Sequence, residues 1–136
     1  MDIRHISEEY TEIGMRLLEE RPELAEIRNA QVSVVFLASE HIKKKSGTLV
    51  YGQCEKIPEK YKWGIPCDFT VTLFEPNIAF LNAKQIEILI FHELLHIGVD
   101  EDSFFIRPHD LEDFKVIIDK YGVNWSEIAP GMGPDV

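Results

Sequence analysis

Two cysteines, Cys54 and Cys67, are all the chain contains in its 136 residues. That is too few for a disulfide-stapled scaffold, and unpatterned thiols of this kind are expected as free core residues without a role. No apolar stretch approaches the roughly 18 residues of a membrane span. Positive charge is also scarce: Lys and Arg number 14 against 24 Asp and Glu, a net charge of −10. Broad binding of nucleic acid or of anionic membranes needs a basic face, so neither is expected as a partner. The one basic cluster, His41-Ile42-Lys43-Lys44-Lys45, reads as a solvated turn before Gly47. Met1-Asp2-Ile3-Arg4-His5 has no apolar secretory core, and the expected compartment is the cytoplasm.

There is no internal repeat, and hydrophobic residues make up 45% of the chain, enough for one core. A single domain is expected over residues 1–125. The Pro- and Gly-rich residues 126–136 read as a flexible tail. Ser7 followed by Glu8 and Glu9 marks a helix start, continued by Tyr10, Ile13, Leu17 and Leu18 and broken at Pro22. Gln31–Ala38 is β-branched and apolar on both faces, as in a covered strand. A turn at Lys45-Ser46-Gly47 leads to a second strand near Thr48–Cys54, and Asp68–Phe74 reads as a third, stopped by Pro76.

Asn82 and Gln85 form the capping-box pattern at the start of a second helix, expected to reach about Ile97 and to end at Gly98. An acidic loop follows. Leu111, Phe114, Ile117, Ile118 and Tyr121 then mark a last amphipathic helix. The order is helix, strands, helix, helix, which predicts an α+β domain: a small sheet, a site-bearing helix and a following C-terminal helix.

Within the second helix, Ile88–Ile97 is apolar except for His92, Glu93 and His96. Burying such groups uncompensated costs several kcal/mol, so they should serve one another or a ligand. His92-Glu93-Leu94-Leu95-His96 is the pattern H-E-x-x-H. Residues four apart on a helix lie about 40° apart around its axis, so both imidazoles can reach one zinc ion. Glu93, turned about 100° from His92, can instead reach a water beside that ion and act as its general base. Simple frequency counting makes a chance match about 2 in 100 in a chain of this composition. The bland alternative, a buried cluster satisfied by its own hydrogen bonds, does not account for the helix, its cap and the apolar setting together.

A catalytic zinc takes three protein ligands and a water. His109, just after Pro108 and at the start of the last helix, is the preferred third ligand. Asp102 and Glu112 are its rivals, and Asp110 is a candidate to orient an imidazole. His5 and His41 read as surface residues.

Taken with Lys56-Ile57-Pro58-Glu59-Lys60-Tyr61, Asp68–Leu73, Glu75-Pro76, HELLHIG and His109-Asp110-Leu111-Glu112-Asp113-Phe114, the chain resembles the small single-domain metallopeptidases of phages and prokaryotes. The resemblance spans about residues 55–125. It implies a zincin-like fold, a Zn2+ site of His92, His96 and His109, Glu93 as catalytic residue, and a protein or peptide substrate. It further implies that an extended substrate lies along a sheet edge, for which Phe69–Phe74 is the expected strand. Two other readings stand beside it: a metal-dependent ribonuclease of the three-histidine type, and a catalytically silent zinc-binding regulatory module. The acidic charge and Glu93 both count against the first.

Overall fold

The computed structural model describes residues 2–101 and 103–107. Asp102, His109, Asp110, Glu112, the expected last helix and the expected tail lie outside these residues. The described chain is an α+β arrangement of three α-helices and a mixed four-stranded sheet accompanied by two small hairpins.

Strand β1 (Arg4–Ile6) leads into α1 (Glu8–Glu20), whose N-terminus is capped by the Ser7 hydroxyl accepting the Tyr10 N–H. Pro22 opens a single 3-10 turn, and α2 (Ala25–Asn29) completes the restart. β2 (Val34–Ser39) is followed by a two-residue hairpin, β3 (Lys44–Lys45) and β4 (Thr48–Leu49), and then by β5 (Gly52–Lys56). The hairpin turn is Ser46-Gly47, both with positive φ, the geometry that matches the twist of the flanking strands. The second strand expected from the sequence is thus split, because this turn folds its first half back on Lys44-Lys45.

β6 (Phe69–Phe74) joins β2 in parallel on one side and β5 antiparallel on the other, giving the order β1-β2-β6-β5. Every residue of β6 is buried, so this is a central strand. It therefore cannot offer the substrate-binding edge expected of it. Among the described strands, β5 and β1 are the edges.

Side chains alternate across the sheet. Phe36, Ala38, Val71, Leu73, Gly52 and Cys54 share the face on which α1 and α3 (Ala83–Leu94) lie. The core runs between that face and Leu17, Leu89, Ile90, Phe91 and Leu94. α1 approaches β2 closely at Gly14, where an added Cβ would stand 2.2 Å from the Phe36 ring.

α3 begins as expected, with Asn82 and Gln85 forming a reciprocal capping box. Its end differs. The helix stops at Leu94, and Ile97–Val99 form a strand, β7, paired antiparallel with β8 (Phe104–Ile106). Gly98 therefore does not cap a helix. It sits in β7, where an added Cβ would strike the Phe105 ring at 2.3 Å. No described helix is long and apolar enough to cross a membrane.

Candidate active site

α3 is apolar around most of its circumference, so its last turn is buried on all sides: Phe91 and Leu94 are fully covered. The three polar groups within that turn and just beyond it share the burial, with His92, Glu93 and His96 only 2%, 2% and 6% exposed. His92 and Glu93 lie on the helix. His96 lies after it, in the turn that leads to β7. The expected helical H-E-x-x-H is thus bent at its second half.

Backbone accounting explains the bend. The Leu95 N–H still reaches the Phe91 carbonyl at 3.1 Å, but the His96 N–H drops to the Glu93 carbonyl, also at 3.1 Å, tightening the final turn. Residue 96 then stands opposite 107, one step beyond the Ile97–Ile106 pair. The Arg107 N–H donates to the His96 carbonyl. In an ordinary ladder the His96 N–H would return the bond to the Arg107 carbonyl, but it is already spent on Glu93. The His96 ring takes its place, with Nδ1 2.6 Å from the Arg107 carbonyl.

A carbonyl can only accept, so Nδ1 carries a proton, which leaves Nε2 as the nitrogen able to serve a ligand. This is how a metal-binding histidine is ordinarily oriented by a backbone group. The His92 and His96 rings stand nearly perpendicular, 84° between planes, with centroids 5.2 Å apart.

Glu93 projects toward β5. Its Oε2 is buried with no hydrogen-bond partner among the described residues, and burial alone pushes its pKa up to about 8. A buried carboxylate oxygen without a donor is costly, and so points to something that such an oxygen would bind. Two residues that sequence reasoning did not assign lie beside it. Gly52 faces the carboxylate: a Cβ there would stand 3.2 Å from Oε2. The Cys54 thiol is pushed well above its ordinary range, by burial first and then by the neighbouring Glu93 and Glu55. Cys54 and Cys67 are both unbridged, as expected. A glycine inside a strand pattern was the one available signal for a close approach at β5. Nothing local marked Arg107, because its role comes from pairing across the hairpin.

His5 is exposed, and His41 only partly covered, away from this constellation. Among the described residues, no three His, Cys, Asp or Glu side chains gather as a metal site. The donors there are two imidazoles, the nitrogen ligands that zinc accepts, and Glu93 stands beside them in sequence.

Residues 4–132 match the family model described as "Putative phage metallopeptidase", a span that begins well before the segment whose motifs carry the resemblance. No curated protein and no solved structure matches the chain. With nearly its whole length inside the family model, the chain belongs to the phage metallopeptidase family.

Proposed function

We propose that the protein is a zinc-dependent peptidase in which His92, His96 and His109 hold the metal and Glu93 is the general base. One observation carries the reading: two buried histidine rings lie 5.2 Å apart, next to a residue with a buried carboxylate oxygen that no described residue satisfies. The route of the chain supports His109 as the third ligand. Arg107 is bonded to His96 through both its N–H and its carbonyl. His109 follows two residues later, and two residues span at most about 7 Å.

Zinc bound at these residues would polarise the scissile carbonyl and acidify a water molecule. Glu93, whose ionised form a cation beside it would favour against burial, takes the proton from the attacking water at its carboxylate and returns it to the leaving amine. His96 is held in its ligating tautomer by the Arg107 carbonyl. The apolar shell of Ile90, Phe91, Leu94 and Leu95 keeps bulk water from the imidazoles and strengthens every charge interaction among them.

The substrate backbone pairs with β5. Tyr51 bonds Phe74 and Ile57 bonds Asp68 across the β5–β6 ladder. By the antiparallel alternation, residues 51, 53, 55 and 57 face β6, so the N–H and C=O groups of Gly52, Cys54 and Lys56 point outward. Gly52, beside Glu93, thus turns its backbone groups away from β6.

Metal content of the purified chain, measured by mass spectrometry beside His109→Ala, tests the site. One zinc per chain, lost or much weakened in the variant, is expected. Zinc retained in the variant would move the third ligand to Glu112 or Asp102. A parent that holds none after zinc is supplied would sink the metallopeptidase reading.

A further inference from the structure

Gly14, Gly98 and Gly52 all sit where a side chain would collide, but the neighbours differ. Gly14 and Gly98 make room for aromatic rings. Gly52 makes room for a carboxylate: a Cβ there would meet Leu73 Cδ2 at 3.1 Å and Glu93 Cγ and Oε2 at 3.2 Å. Its backbone is not the reason for glycine, because its φ is not in the left-handed region, unlike that of Gly47. A glycine inside an edge strand weakens that strand and generally marks a close approach.

What approaches here is the end of α3. Leu73 is fully buried in the central strand and has nowhere to retreat. Glu93 is the flexible party, a carboxylate on rotatable bonds whose Oε2 has no partner among the described residues to hold it. Its position is therefore a matter of shape: the missing Cβ of Gly52 leaves the room in which the carboxylate stands. The same residue turns its backbone N–H and C=O away from β6.

We infer that Gly52 is a positioning residue, whose missing side chain sets where the Glu93 carboxylate stands; this rests on the peptidase reading above. A methyl group at 52 must displace that carboxylate by a few tenths of an ångström. Misplacement of a reacting group by about 1 Å costs on the order of 100-fold in rate. For Gly52→Ala the expected effect is a fall in kcat of about tenfold on dye-labelled casein, with KM and zinc content unchanged.

Two further measurements isolate the cause. In a Glu93→Ala background neither the Cγ nor the Oε2 remains to meet the added methyl, so Gly52→Ala should change the residual hydrolysis little there. An equal loss in both backgrounds would mean that Gly52 does not act through Glu93. A crystal structure of Gly52→Ala should show the Glu93 carboxylate moved away from β5, and an unmoved carboxylate would overturn the assignment. A variant that does not fold would also overturn it, by placing the Leu73 contact first. If the parent cleaves no casein, the peptidase reading fails by itself, and the variant's crystal structure still decides whether Gly52 places Glu93.

Discussion

The two faces of the sheet treat charge in opposite ways. On the face away from α1 and α3, Arg4 donates to Asp2, to Glu55 at 2.7 Å and to Thr72 at 3.0 Å, while Ser39 donates to Asp2 at 2.6 Å. Lys43 bonds Gln53 there, and Arg4 and Lys43 both lie over the Phe74 ring, at 5.6 and 5.5 Å. Each charge has partners and keeps contact with water. On the helix face Glu93 is more deeply buried, yet its Oε2 has no described partner. The first pattern is what stability favours; the second is tolerated where a group is kept for chemistry. Charge of the first kind should be replaceable at small cost, and charge of the second kind should matter to activity rather than to folding.

The largest expected effect breaks that comparison at Glu93. Glu93→Gln keeps the shape but removes the base. Casein hydrolysis should fall by orders of magnitude while zinc content holds and the melting temperature does not drop. Unchanged hydrolysis would take Glu93 out of the mechanism, and a large loss of stability would make it a structural group after all.

Next in size is the packing that holds the helix face together. Gly14→Ala drives a methyl group into the fully buried Phe36 ring and should cost about 1–3 kcal/mol. Gly98→Ala meets the Phe105 ring just as closely, but that ring is 43% exposed and can swing aside. Urea unfolding of the two variants should rank Gly14→Ala as the more damaging, and a reversed order would show that the α1–β2 approach has slack. Asn82→Ala removes half of the capping box of α3 and should cost about 1 kcal/mol in the same assay, without changing zinc content.

The smallest effect sharpens the comparison from the open face. Arg4 and then Ser39 hold the Asp2 carboxyl well below its ordinary range, with burial opposing them. A carboxyl depressed in the folded state contributes stability above its unfolded pKa of about 3.9, and loses it as pH falls toward the folded value. The parent should therefore lose stability below about pH 4, and Arg4→Gln should flatten that part of the curve. At neutral pH the variant should be weaker by only about 1 kcal/mol or less, because these groups are partly exposed. An unchanged acid limb would show that the Asp2–Arg4 pair adds nothing to folding.

Much of this was legible in local patterns. The Ser7 cap, the break at Pro22, the strand ended by Pro76 and the Asn82–Gln85 box depend on residues within a few positions of one another, and each is where it was expected. Other features were not legible. β1 is three residues long and reads as nothing until it pairs with β2. Gly98 resembles a helix stop, but the nearer event is the pairing of β7 with β8, which claims the backbone from Ile97 onward. Phe69–Phe74 was recognisable as a strand, yet whether it is central or an edge depends on which strands arrive at its sides.

By itself the sequence determined the chemistry on offer: two imidazoles and a carboxylate in an apolar segment, an acidic chain around them, and a capped helix to carry His92 and Glu93. Local composition suffices for that, because caps, periodicity and spacing act within one or two turns of chain. The tertiary structure alone decided how these groups are presented. It placed His96 beyond the helix and set its tautomer through the Arg107 carbonyl, made β5 the edge, and brought Gly52 against Glu93. Each of these depends on backbone hydrogen bonds or close contacts between residues distant in sequence, which no local pattern encodes.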